Sequence, residues 1–279
     1  MQEQNNQKAR EDSVCDIRVG CSGYSYEDWK NVLYPPYSRR QDFLEHYLKE
    51  FDLLELNYTY YRHPALKNSV SIADKILRLR PETLLSVKLF GGITHERDRS
   101  QVKEHIAAFR EGVEPYKASG LLACLLAQMP QSFHDTPENR DYLARMLHAF
   151  RNYPMAVEFR AAEWNRPDII EFLCERNVAF CNVDQPELPG LARPDSIVSA
   201  ETAYVRFHGR NAAKWYSGDS ATRYEYNYSA DELAGWLKPL ENMKKKAGRI
   251  MAFFNNHRKG YAVENARSLK QMLRDKALI

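Results

Sequence analysis

Eight short runs rich in β-branched, aromatic and leucine residues, regularly spaced along 279 residues, constrain this chain more than any other feature. They occupy positions 17–23, 53–57, 84–89, 122–129, 155–160, 178–184, 202–209 and 250–256. Between them lie stretches with helical spacing, such as Phe43, Leu44, Tyr47 and Leu48 ahead of the second run, and Ile106, Phe109 and Val113 ahead of the fourth. Strand and helix alternating eight times predicts a parallel sheet, and eight units in roughly 250 residues is the size of a (β/α)8 barrel. A doubly wound open sheet is the alternative, and it fits so regular a repeat less well. One unit departs from the pattern: the crossover at 185–201 carries three prolines and no helical period.

The seventh run shows a second regularity. In "TAYVRFHG" Ala203, Val205 and Phe207 make one face, while Tyr204, Arg206 and His208 make the other. The pattern recurs with Glu55 and Asn57 opposite Leu54 and Leu56, and with Ser86 and Lys88 opposite Leu85, Val87 and Leu89. It recurs again with Glu158 and Arg160 opposite Val157 and Phe159, and with Asn182 and Asp184 opposite Cys181 and Val183. Each strand turns polar on one face only, toward its C-terminal end. In a (β/α)8 barrel the outer face packs on helices, the inner face is filled by side chains, and chemistry sits at the C-terminal mouth. Glu55, Asn57, Lys88, Gln128, Glu158, Arg160, Asp184, Arg206, His208 and Asn255 are therefore expected around one cavity. The parity of run eight is ambiguous, so Asn255 and Asn256 compete for the last place. The same residues would also serve as a self-satisfied ion-pair plug, since buried charges must be paired. Keeping so many ionisable groups where Val, Ile and Leu would fill the space suggests a site.

Composition narrows the partners. Forty basic against 37 acidic residues give a formal charge of +3, which provides no strong electrostatic footprint for nucleic acid. Five scattered cysteines, odd in number and without a C-x-x-C pair, argue against a disulfide framework and a thiolate zinc site, and favour a reducing cytosol. No run approaches the roughly 18 apolar residues of a membrane span. The polar stretch 1–14 reads as a disordered lead-in to a single domain at 15–279, and a cytoplasmic location is expected.

Seven motifs in order carry a family resemblance: "VGCSGYSYEDWKNVLYP", "LELNYTYYRHP", "SVKLFGGITHER", "LLAQMPQSF", "AVEFRAAEW", "YVRFHGR" and "FFNNHRKGYAVENA". Together they resemble the YecE-like family, a domain of unknown function (DUF72), from about Ile17 to Leu273. The resemblance implies a TIM barrel and a cytoplasmic protein, and no settled reaction. Tyr24 stands where the family usually has Trp, and Leu33 where Phe is usual.

The residue types then set the chemistry to expect. Arginine presents a planar donor fork suited to carboxylate or phosphate, so Arg160 and Arg206, with Lys88, favour a small anionic or phosphorylated ligand. Glu158 is the candidate general acid or base and His208 the second proton carrier. Lys88 suits anion or oxyanion stabilisation first and a Schiff-base role second, the latter if desolvated among cations. Asn57, Asn255, Asp184, Glu55, His95 and Tyr24 are the further candidate ligand-binding residues, with His95 on a loop after Gly91-Gly92 that could swing over the mouth. "HER" at 95–97 is not the H-E-x-x-H zinc motif. The leading reading is a metal-independent enzyme using acid-base chemistry, with no cofactor assigned. The alternatives are a hydrolase, either with Glu55 and Glu158 as paired carboxylates or with a metal on Glu158, Asp184 and His208, and a nucleic-acid-binding protein using cations and loop aromatics. Near-neutral charge makes nucleic acid the weakest of these.

Overall fold

The computed structural model describes residues 15–192, 195–218 and 220–279. The lead-in expected at 1–14 lies outside them. Eight parallel strands close into a barrel in sequence order: β1 (Asp16–Ser22), β2 (Leu53–Leu56), β3 (Leu84–Lys88), β4 (Leu122–Gln128), β5 (Met155–Glu158), β6 (Val178–Asp184), β7 (Thr202–Phe207) and β8 (Arg249–Phe254), with β8 pairing back to β1. Each of the eight runs holds a strand, which ends at most two residues before the run does.

Helices α1 (Phe43–Glu50), α2 (Leu66–Leu79), α3 (Val102–Ala118), α4 (Pro137–Ala149) and α5 (Pro167–Cys174) connect β1 to β6. Then α6 (Ala230–Ala234) and α7 (Leu237–Lys244) precede β8, and α8 (Tyr261–Asp275) follows it. α1 buries Phe43, Leu44, Tyr47 and Leu48, as its spacing requires. α4 starts at Thr136, whose hydroxyl accepts from the Asn139 amide, with Pro137 in the first turn where its missing N–H costs nothing. None of the described helices is long and apolar enough to cross a membrane.

The seam between β1 and β2 is pinned from outside. The Tyr47 hydroxyl accepts from the Cys21 amide at 2.8 Å and donates to the Leu53 carbonyl at 2.6 Å, so it completes a ladder that the two strands leave open. Gly20 makes the close approach possible, since a Cβ there would land on the Leu53 carbonyl oxygen and touch the Tyr47 hydroxyl.

The crossover from β6 to β7 has no helix among its described residues, in keeping with its prolines. Side chains of β6 hold it instead. Asn182 donates to the Ile197 carbonyl at 2.8 Å and accepts from the Ile197 amide at 2.9 Å, as a strand neighbour would. That duty reverses the expected parity of β6. Cys181 and Val183 point into the barrel with Leu53, Leu126, Ala156, Tyr204 and Phe253, whereas Val178 and Phe180 join the outer core. Asn182 and Asp184 therefore face outward. Asp184, expected at the mouth, instead sits fully buried under the loop after β7, gripped by both arms of Arg210 at 2.8 and 2.6 Å, by the Tyr228 hydroxyl at 2.8 Å and by the Trp236 indole at 2.7 Å. Arg210 is thereby also withdrawn from the site.

Candidate functional site

Below the mouth lies a layer of buried charge built from three strands. Arg206 on β7, 1% exposed, donates one arm to Glu55 Oε1 at 2.7 Å and the other to Glu158 Oε2 at 2.5 Å. The Tyr204 hydroxyl donates to Glu55 Oε2 at 2.6 Å and takes the Ser86 hydroxyl at 2.7 Å, so both carboxylates have partners on both oxygens. His208 Nε2 meets Glu158 Oε1 at 3.0 Å, and Asn255 Nδ2 donates to His208 Nδ1 at 3.1 Å. This arrangement makes Nε2 the protonated nitrogen and leaves the ring neutral. Burial is the main cause of its depressed pKa, pulled to about 4 against the opposing pull of Glu158. Burial alone would raise the Glu158 carboxyl, but Arg206, His208 and Arg160 outweigh it and hold the group well below the usual carboxylate range.

Above this layer opens a cavity of about 1030 Å³ at the C-terminal ends of the strands. Tyr24, Asn57, Lys88, His95, Arg160 and Asn255 line it, all six from the expected set. Glu55, Glu158, Arg206 and His208 do not; they form its foundation. Asn255, not Asn256, faces the interior: Asn256 turns outward to the Tyr226 carbonyl and Asn265.

Lys88 ends β3. The Thr59 hydroxyl donates to its carbonyl at 2.6 Å, its Nζ donates to Gln128 Oε1 at 2.6 Å, and the ammonium lies 4.5 Å from the Tyr60 ring centre. It forms no ion pair with any described carboxylate, because Glu55 and Glu158 are matched by Arg206 and Arg160. Burial, then Arg206 and Arg160, lower its pKa to about 7 against the pull of Glu158 and Glu55. Arg160, 8% exposed, approaches Glu158 with Nε at 3.4 Å and donates from Nη2 to the Tyr224 hydroxyl at 2.8 Å, beneath the Trp215 indole at 5.6 Å. His95 sits on a π-helical turn (Gly92–Glu96) against the Tyr60 ring, its pKa pulled to about 4 by burial, Lys88 and Arg160.

Several lining residues escaped the period-two reading. Arg223 and Tyr224 belong to the loop after β7, Arg62 to the loop after β2, and His257, stacked on Tyr26, to the loop after β8. Only the density of aromatic and basic residues in those loops marks them. Trp29 and Trp164 are packing residues: each is buried, with its indole N–H donated to a carbonyl, of His257 and Phe133 respectively.

The metal alternative loses its ligand set, since Asp184 points away from Glu158 and His208. Among the described residues no group of three or more His, Cys, Asp or Glu is placed to hold a metal.

A closed eight-stranded parallel barrel with polar strand ends gathered under its C-terminal mouth defines a TIM-barrel protein. The chain belongs to the family described as Protein of unknown function DUF72, whose model matches residues 18–278. It is 29% identical over 273 residues to the UPF0759 protein YunF of Bacillus subtilis, covering 92% of this chain and 94% of that one. The crystal structure of a DUF72 family protein from Thermotoga maritima superposes with a TM-score of 0.85 at 36% identity, over 93% of this chain and 99% of the other. A DUF72 family protein from Enterococcus faecalis gives a TM-score of 0.82 at 27% identity, over 92% and 95%.

Proposed function

We propose that the protein is an enzyme that binds a small anion, a carboxylate or phosphate ester, at the barrel mouth and moves a proton through Lys88. One observation carries this reading. Among the described residues, every Asp, Glu, Lys or Arg lining the cavity is a cation: Arg62, Lys88, Arg160 and Arg223. Arg160 offers the pre-set fork and Asn57 and Asn255 offer amides, while tyrosines and Trp215 supply ring faces for the rest of the ligand. Lys88, with a pKa near neutrality, suits acid-base exchange at physiological pH.

Glu158 and His208 take a supporting part in this reading. Buried and satisfied, they fix Arg160 and Asn255 from beneath. The Glu55 and Glu158 pair lends less to glycoside hydrolysis, because both carboxylates clasp one guanidinium below the cavity, where a scissile bond would not lie between them.

Thermal unfolding and calorimetry against a panel of phosphates and small carboxylates test the proposal. Anions should raise the unfolding temperature, and Arg160→Ala should weaken their binding by about ten- to a hundred-fold, the value of one charged hydrogen bond. Identical anion affinities in wild type and Arg160→Ala would refute it.

A further inference from the structure

We infer that Lys88 acts as a covalent catalyst, its amine condensing with the carbonyl carbon of an anionic aldehyde or ketone such as a 2-oxo acid or a phosphorylated carbonyl compound. The inference rests on the anion-site reading above and adds the substrate's second functional group.

An amine attacks a carbonyl only when it is unprotonated, held in place and not claimed by a carboxylate. Lys88 meets the geometric terms. Its backbone is pinned by Thr59, and its Nζ is held between Gln128 Oε1 at 2.6 Å and the Tyr60 ring at 4.5 Å, facing the cavity. Beneath it Arg206 takes up both Glu55 and Glu158, and Arg160 Nε lies 3.4 Å from Glu158, so neither carboxylate is left for the lysine. A lysine needed only as a fixed positive charge would gain from a carboxylate neighbour of its own. This one has an amide oxygen and the face of a phenol ring. Burial, and then the cations around it, favour the free amine, whose pKa falls to about 7, so that a large share of it is unprotonated at neutral pH.

The step balances within the site. The Nζ lone pair forms the C–N bond while the carbonyl π pair moves to oxygen, which takes a proton. The nitrogen gives up one proton, the hydroxyl leaves as water with a second proton, and as the C=N bond closes the nitrogen gives up its remaining proton, so two protons are taken up by oxygen and two are returned by nitrogen. Amine plus carbonyl gives imine plus water, with no oxidant or reductant. Tyr224 is placed to donate, since its oxygen accepts from Arg160 and its own proton has no acceptor among the described residues. His95, neutral under the influence of burial, Lys88 and Arg160, is placed to accept. Arg160 holds the substrate's anionic end, which orients the carbonyl toward Nζ.

Glyoxylate with cyanoborohydride tests this, because it is the smallest anionic aldehyde and a cavity of about 1030 Å³ cannot exclude it by size. The full chain is incubated across pH 6 to 9 and the reduced adduct is mapped by peptide mass spectrometry. Saturable labelling at Lys88, faster by at least tenfold than at surface lysines and lost in Lys88→Arg, is expected. Arg160→Ala should retain a reactive Lys88 but need more glyoxylate to saturate it. Labelling spread evenly over surface lysines, while phosphate still stabilises the wild type and not Arg160→Ala, would overturn the covalent role and leave the anion site standing. Even labelling with no stabilisation by phosphate or glyoxylate would overturn both.

Discussion

Arg206→Met removes the guanidinium that joins Glu55 to Glu158 at 2.7 and 2.5 Å. Both carboxylates are fully buried, so neither gains water in exchange. Glu55 keeps the Tyr204 hydroxyl, and Glu158 keeps His208 and the nearby Arg160. Removing one member of a buried ion pair costs about 3–5 kcal/mol, because the survivor is a buried charge without its counter-ion. That is a large share of the roughly 5–15 kcal/mol by which a domain is stable. For a chain of this size it lowers the unfolding temperature by roughly 6–20 °C. The penalty has a pH signature. In the wild type Arg206 holds the Glu158 carboxyl well below its usual range, which stabilises the fold above the unfolded-state pKa of about 4.3 and fades as pH falls through the folded-state value. Arg206→Met removes the largest of the opposing charges, so the folded-state pKa of Glu158 rises and the stability that its ionised form adds shrinks, while at a pH low enough to protonate the group in the variant the difference fades. Circular dichroism melts and urea titrations at pH 4 and 7 should show a deficit that is largest at pH 7 and smaller at pH 4. A deficit below about 2 °C at pH 7, or one unchanged at pH 4, would refute the ion-pair reasoning.

Asp184→Asn should destabilise the chain by about 2–4 kcal/mol through loss of the Arg210 fork, while leaving anion affinity unchanged because Asp184 lies outside the mouth; urea unfolding paired with phosphate calorimetry reads both. Tyr47→Phe strands the Cys21 amide and the Leu53 carbonyl at the β1/β2 seam and should cost about 1–3 kcal/mol by chemical denaturation. Affinity for sulfate, whose charge is constant over the range, should fall as pH rises through about 7, since Lys88 loses its proton there; Lys88→Met should flatten that dependence. The same depressed pKa means that the unfolded chain binds the extra proton between about 7 and the unfolded value of about 10.4, so Lys88 adds a rise of stability with pH across that window, which Lys88→Met should remove in melts at pH 7 and 9.

The barrel was legible in the sequence because eight strands leave eight hydrophobic runs, and inward parity was legible on β2, β3, β5 and β7 because their outer residues pack on helices. β6 broke the rule for a local reason. Its crossover has no helix, so Asn182 faces out to supply the missing hydrogen bonds, and Asp184 faces out to anchor Arg210, Tyr228 and Trp236. Period two shows that two faces differ, and it leaves open which one is inside when the apolar face carries residues as small as Cys181 and Val183. Run eight was undecided for a related reason, and the bond from Asn255 to His208 resolves it. Depth was a further gap. Glu158 and Lys88 look equivalent as polar strand ends, yet Arg206 and Glu158 lie one layer below the mouth, while the long lysine side chain on β3 reaches it. Arg223 ends a four-residue helix (Ser220–Arg223) and Tyr224 follows it, in a segment too short for periodicity, where composition marks a region and not a residue.

A selenate soak of crystals of the full chain, with diffraction measured at the selenium edge, tests the central claim most directly. The anion-site reading predicts a strong anomalous peak in the mouth within hydrogen-bond distance of Arg160, and of Lys88 below pH 7, that disappears in Arg160→Ala. A mouth without a peak at saturating selenate, with peaks confined to surface lysines and arginines, would contradict it.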